Sequence, residues 1–150
     1  MKGETRTLVI SGERPPSWNT FYSGKHWSIR KQEADTVHSL VRALLDPEQE
    51  PFQGRVDVSI TVYAKSKPTD ADNICSKLYI DGLKGWWFED DTPDYIRTVS
   101  TQSEVDVTDP RTEIVVTQIE NDFQYKCSCC DKRYPKKKMM LDHERIMSGG

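Results

Sequence analysis

The stretch with the most chemical character is Lys67-Pro68-Thr69-Asp70-Ala71-Asp72-Asn73, followed by Lys77, by Asp81, and by Trp86-Trp87-Phe88-Glu89-Asp90-Asp91. Clustered carboxylates repel, and each raises its neighbours' pKa unless positive charge sits among them. A hard divalent cation such as Mg²⁺ supplies that charge, taking one or two carboxylates and completing its shell with water and substrate phosphate. Two such ions about 3.5–4 Å apart stabilise both the attacking and the leaving oxygen when a phosphodiester is hydrolysed. Lys77, about one helical turn past the Asp-x-Asp pair, is placed to meet a phosphate oxygen or the charge that develops on it. The same residues also fit a plainer role, because Asp is favoured at helix starts and in turns. By that reading Asp70 and Asp72 are caps, Asp90-Asp91 is an exposed turn, and Lys77 is a solvated helix residue.

Hydrophobic periodicity indicates the elements that position these groups. Thr7-Leu8-Val9-Ile10 reads as a strand, stopped by Pro15-Pro16-Ser17. A first helix is expected from Ser28 as N-cap, with Ala34, Val37, Leu40, Val41, Leu44 and Leu45 at helical spacing and Asp46-Pro47 as its end. Val56, Val58, Ile60 and Val62 alternate with Asp57, Ser59, Thr61 and Tyr63, the pattern of a half-buried strand. A second helix is expected from about Asp72 to the Gly82–Gly85 region, with Cys75 packed inside it. Strands near Tyr95–Thr101 and Thr112–Ile119 follow, separated by the turn signal Asp109-Pro110. Trp86, Trp87 and Phe88 read as core. With the second helix packed on a sheet, the Asp70–Asp72 and Asp90–Asp91 loops are expected to converge at one end of that sheet. The order of elements implies an α+β (layered α/β) fold: a small mixed sheet of about four strands packed with two helices, followed by a short tail.

The chain has 150 residues, enough for one compact domain and an appendage. It is hydrophilic, with 35% hydrophobic and 30% charged residues and a mean hydropathy of −0.72. No run approaches a membrane span and Met1–Arg6 lacks a signal-peptide core, so a cytoplasmic protein is expected. Composition changes near residue 120. Residues 1–119 carry 14 basic and 19 acidic residues, whereas 120–150 carry 7 and 5. The expected division is therefore a body over 1–120 and a basic, Cys-rich tail over 121–150. The net charge of −3 does not by itself mark a nucleic-acid binder, but phosphate binding depends on local charge.

Five motifs in register resemble the RusA-type Holliday-junction resolvases, compact endonucleases often encoded by phages and prophages. They are Pro15-Pro16-Ser17-Trp18-Asn19, Asp70-Ala71-Asp72-Asn73, Lys77, Asp81-Gly82-Leu83 and Asp90-Asp91, and the match runs from residue 8 to about 118. The resemblance implies a homodimeric endonuclease, dependent on Mg²⁺ (or Mn²⁺), that cuts branched DNA such as a four-way junction by metal-activated attack of water on a phosphodiester. Carried over residue by residue, Asp70, Asp72 and Asp91 are the metal-binding carboxylates and Lys77 the catalytic lysine. Asp90, Asp81 and Asn73 support them. One departure stands out: the family's lysine lies four residues after the second Asp, where this chain has Ser76, and Lys77 lies at five. In an undistorted helix one extra residue turns a side chain by about 100°. A π-bulge or a later helix start would absorb it.

Trp18 to Lys31 holds three cations, four aromatics and no acid. In the resembled family this region contacts DNA, which implies Asn19, Lys25, Arg30 and Lys31 as DNA-binding residues, with Trp18, Phe21, Tyr22 or Trp27 available to stack on an unpaired base. Trp27, beside the helix start, also reads as a core or dimer-interface residue, and His26 as a surface one. In the tail, Cys127-x2-Cys130, Tyr134, Met140 and His143 follow the two-cysteine, two-histidine zinc-finger template through its third ligand. No second His follows, so a structural Zn²⁺ held by Cys127, Cys130 and His143 would draw its fourth ligand from Cys129, Glu144, water or another chain. Lys132, Arg133, Lys136, Lys137 and Lys138 would make such a module a DNA-binding arm. The rival readings are a protein that keeps this fold and binds branched DNA without cutting, and a divalent-metal hydrolase or transferase acting on nucleotides.

Overall fold

A computed structural model describes residues 4–12, 24, 26–68 and 70–119, with the backbone of 125–126 and 133–134. Asn19 and Lys25 lie outside the described residues, as do Cys127, Cys130 and His143. The body runs β1 (Thr5–Ser11), α1 (Trp27–Ala43), β2 (Val56–Ala64), a 3₁₀ turn (Ala71–Asn73), α2 (Ser76–Leu83), β3 (Ile96–Val105) and β4 (Arg111–Gln118). The four strands form one mixed sheet in the order β1-β4-β2-β3. The α+β class expected from the sequence is therefore the fold. Beyond the body, Tyr125–Lys126 and Arg133–Tyr134 pair antiparallel as β5 and β6. Among the described residues, no helix is long and apolar enough to cross a membrane.

The alternation in β2 works as its pattern requires. Val56, Val58, Ile60, Val62 and Ala64 are buried and face the helices, while Asp57, Ser59 and Tyr63 on the other face are half-buried. Val37, Val41 and Leu45, spaced by four, bring α1 onto this core. Leu40 and Leu44 belong to the same apolar pattern yet are each 51% exposed. The first helix begins two residues earlier than expected: His26, not Ser28, is the N-cap, its ring Nδ1 accepting the Ser28 backbone N–H at 3.2 Å. Trp27 is 64% exposed as the first helical residue, so of its two expected places, core or dimer interface, the core one does not hold. The residues of this helix that pack against the core begin a turn and more further on, at Ala34 and Val37.

β2 and β3 are parallel and adjacent, from Val56↔Ile96 to Ala64↔Val105. Parallel neighbours need a long crossover, usually helical, and residues 65–95 supply it with α2 inside. β3 extends four residues beyond the expected Thr101 because it follows β2 to the end of that strand. The short link 106–110 then passes over the end of β2 into β4. Asp106 donates its N–H to the Ala64 carbonyl at 2.9 Å. The Arg111 guanidinium lies 3.8 Å from the centre of the Tyr63 ring and bonds Asp106 at 2.8 Å.

The two helices meet at Gly82. A Cβ there would stand 3.1 Å from Val41 Cβ and 3.2 and 3.3 Å from its methyls, and Val41 itself is fully buried. The central residue of Asp81-Gly82-Leu83 is thus set by how closely α1 approaches α2. Gly82→Leu is expected to destabilise the protein by about 1–3 kcal/mol through overpacking, and Gly82→Ala by clearly less. Urea unfolding of the two variants measures this. Equal losses would mean that side-chain volume at this crossing is not the constraint.

Candidate functional site

The Asp70–Asn73 segment is not the first turn of α2. Asp70 leads a single 3₁₀ turn, with Asn73 N–H on the Asp70 carbonyl at 2.9 Å. Ile74 is extended (φ −71°, ψ 124°), Cys75 forms the N-cap, and α2 starts at Ser76. Ile74 and Cys75 are 2% and 0% exposed, so two buried side chains set the break between turn and helix. The helix expected from Asp72 therefore starts four residues later, and the residue that separates this chain from the family spacing lies in non-helical backbone. The 100° rotation it would cause inside a helix does not arise. Cys75, expected to pack, does so, and burial pushes its thiol up to about 11. The turn is also tied to the sheet: Thr101 Oγ1 donates to the Ala71 carbonyl at 2.6 Å.

Lys77 is the second residue of α2 and pairs with Asp81 at 3.6 Å, four residues on. At the other end of the helix the chain reverses. Gly85, at φ +85°, allows its N–H to reach the Phe88 carbonyl at 2.7 Å, and Trp86 and Trp87 donate to the Leu83 carbonyl. Trp87 and Phe88 are buried, which bears out the core reading, and Trp86 is half-buried against the same core. Phe52 N–H bonds the Trp87 carbonyl at 2.8 Å, and the Arg6 guanidinium covers the Phe52 ring at 3.9 Å. With this reversal anchored, Asp90 and Asp91 return alongside Lys84, whose Nζ lies 3.2 Å from Asp90 and 3.8 Å from Asp91. Asp90 also accepts the Asp91 backbone N–H at 2.9 Å. That N–H first, and the Lys84 ammonium second, hold the Asp90 carboxyl below its ordinary range. Asp90 in turn raises Lys84.

Between α2 and β3 lies a cavity of about 270 Å³ lined by Ser76, Lys77, Ile80, Asp91, Pro93, Ile96, Arg97 and Val99. Lys77 and Asp91 both line it. The Asp70–Asp72 turn borders the cavity from farther along the strand, because Thr101 is two residues beyond Val99 on the same face of β3. The two acidic loops thus do not meet at one end of the sheet as expected. The carbonyl of Thr92, next to Asp91, receives Ile96 N–H at the start of β3, whereas that of Ala71 is held five residues on, roughly 16 Å along an extended strand. Accordingly, among the described residues no three of His, Cys, Asp or Glu stand close enough to enclose a metal ion. An all-protein cage is not what Mg²⁺ requires, however; one or two carboxylates with water and phosphate suffice. The oxygen-only donors fit that ion, and the Asp90–Asp91 pair already gathers a cation, the Lys84 ammonium.

Lys84 was not singled out from the sequence. Its signal is its position directly after Asp81-Gly82-Leu83, two helical turns past Lys77, but its pairing depends on the reversal at Gly85. Arg97 was missed as well, since nothing in a strand pattern marks it. Of the residues expected to contact DNA, Arg30 is half-buried and Lys31 exposed, both on α1, and neither lines the cavity. Asn73 is half-buried in the 3₁₀ turn. No family model matches the sequence, and no characterised protein matches it significantly.

Arg97 also pairs with Asp57 across the parallel strands through Nε at 3.1 Å and Nη2 at 2.6 Å, and Thr98 Oγ1 donates to the same carboxylate. The Arg97 guanidinium is the chief cause that Asp57 titrates below its ordinary value. A carboxyl lowered in the folded state stabilises the fold above its unfolded pKa of about 3.9 and loses that contribution as pH falls through its folded value. Arg97→Met is therefore expected to flatten the acid limb of stability below about pH 4 while leaving the slope above pH 5 unchanged. Urea midpoints across pH test this, and an unaltered acid limb would show that Arg97 does not set the titration of Asp57.

Proposed function

We propose that this chain is a Mg²⁺-dependent, structure-specific endonuclease acting on branched DNA such as four-way junctions. The observation that carries the reading is that Lys77 and Asp91 line one cavity, with the Asp70–Asp72 turn pinned to β3, which also lines it. The resemblance to RusA-type resolvases names those same residues. Mg²⁺ or Mn²⁺ ions held by Asp70 and Asp72 on one side of the cavity and by Asp91 on the other would supply the Lewis acidity that polarises the phosphodiester and acidifies water. The chain's own groups do the rest. Lys77, steered by Asp81 on the next turn, presents its ammonium to a phosphate oxygen where charge accumulates. Lys84 favours the ionised form of Asp90 and, by pairing with both, orients Asp90 and Asp91 before substrate arrives. Asn73 and Asp90 hold the backbone of the acidic loops. Lys31 and Arg30, with Asn19 and Lys25, supply phosphate contacts away from the cavity.

A homodimer is part of this proposal, since paired cuts on a junction need two sites. It is supported by Ile29, Leu40 and Leu44, exposed at 46%, 51% and 51% along one stripe of α1, which a second copy would cover. A cytoplasmic location goes with the same reading. In the tail we propose a structural Zn²⁺ on Cys127, Cys130 and His143, in a module whose basic residues grip DNA. The separation of the acid pairs favours a second reading, a branched-DNA-binding protein that does not cut.

Asp70→Asn is expected to abolish cleavage of a synthetic four-way junction in Mg²⁺ while leaving junction binding intact, and Lys77→Ala to lower kcat more than it raises KM. Cleavage by Asp70→Asn at the wild-type rate would sink the endonuclease reading, and binding without cutting by the wild type would establish the second one. Metal analysis of the purified protein is expected to find about one zinc per chain, lost on Cys127→Ser; none in the wild type would leave the tail a basic arm.

A further inference from the structure

The endonuclease reading assigns a role to the charged wall of the cavity and none to its apolar part. Ile80 and Ile96, 7% and 8% exposed, form a floor continuous with the core. Pro93 and Val99 complete an apolar lining, and Val99 is left 43% exposed on the helix-facing side of edge strand β3. The charged members, Lys77, Arg97 and Asp91, stand around that floor. A volume of about 270 Å³ is at the small end of ligand sites. It is too small for a peptide strand or a duplex edge, and of the size of one flat heterocycle with its sugar.

We propose that this cavity takes up a single unpaired nucleotide of the DNA, its base against Ile80, Ile96 and Val99 and its phosphate on the Lys77 ammonium. The proposal rests on the endonuclease reading and gives it a basis for substrate choice. Apolar walls accept the face of any base, so uptake is tolerant of sequence. A base held in a duplex reaches the floor only by leaving its stack and its partner, and the energy this takes is least where pairing is already broken. Branch points, flaps and gaps meet that condition. The cavity also lies between the two acidic loops, so a nucleotide inside it places its flanking phosphate within the gap that separates Asp91 from the Asp70–Asp72 turn. Arg97, which also lines the cavity, keeps its Nε and Nη2 on Asp57.

The test uses the full chain carrying Asp70→Asn, and four-way junctions with 2-aminopurine at each position next to the branch. Binding is expected to raise 2-aminopurine emission severalfold at one or more of these positions, and not in a linear duplex. Val99→Trp, at an exposed site on an edge strand, fills the cavity and is expected to remove the rise while the junction still binds. Pro93→Trp fills it from the facing wall and replaces Val99→Trp if that variant melts below the parent. Emission that stays quenched at every position of a bound junction, or a rise that survives both filled cavities, overturns the nucleotide pocket. If the wild type cuts junctions while emission stays flat, the pocket falls and the endonuclease reading stands. If the protein neither binds nor cuts branched DNA, both fall together.

Discussion

The parallel pairing of β2 with β3 is the constraint from which the rest of the body follows. Antiparallel neighbours can be joined by a tight turn, but parallel ones oblige the chain to return the length of the sheet before pairing again. Here the return is residues 65–95, which contain nearly every group with chemical potential: Asp70, Asp72, Asn73, Lys77, Asp81, Lys84, Asp90 and Asp91. Because α2 has only eight residues, about 12 Å of helix, its two flanking loops stay close enough to border one cavity. Gly82 makes this arrangement compact by letting α1 lie directly on α2.

Within that crossover, exposed ion pairs orient the charges but do not hold the loops. Lys77–Asp81 and Lys84–Asp90 are substantially solvated, and such pairs contribute little to stability. The holding is done by buried side chains next to each charge: Ile74 and Cys75 after the Asp70 turn, Trp87 and Phe88 before Asp90. An alternation results, apolar anchor then acid, so that carboxylates which repel one another are kept near one helix by the core beneath them. Net charge hides this, because the acids that could bind cations are counted like any others. The body sums to an acidic domain, yet Lys77 and Arg97 line the cavity between α2 and β3, and Lys84 pairs with the acids beside it.

Much of this was legible in the sequence where one physical rule acted alone. The period-two alternation of Val56 to Val62 gave β2, and the four-residue spacing of Val37, Val41 and Leu45 gave the buried stripe of α1, because burial on one face decides both. Misreadings came where two rules competed. Asp72 satisfies the preference for helix starts, but burial of Ile74 and Cys75 interrupts the helix and moves its start to Ser76. β3 has a weak pattern of its own and is extended by its partner's length, a tertiary effect. Trp27 is apolar by composition but sits in a turn of α1 ahead of the part that meets the sheet. Lys84 and Arg97 acquired their meaning only from a chain reversal and a strand register that no local pattern encodes.

The distance between the two acidic loops bears on how such a site would work. A protein that enclosed its metal with three preassembled carboxylates would carry their repulsion in every folded molecule, with only water and salt to relieve it. Spacing the acid pairs along β3, with lysines beside them, removes most of that penalty from the free protein. The cation and the phosphate are then needed to complete the site, and each supplies charge that the other lacks. In the proposed endonuclease, affinity for the ion would be coupled to occupancy by DNA, since each ligand would be bound better when the other had already compensated the local field. If the apolar cavity between the pairs takes up an unpaired nucleotide as proposed, that coupling would depend on it, and the same geometry that relaxes electrostatic strain would tie assembly of the reactive centre to the shape of the nucleic acid.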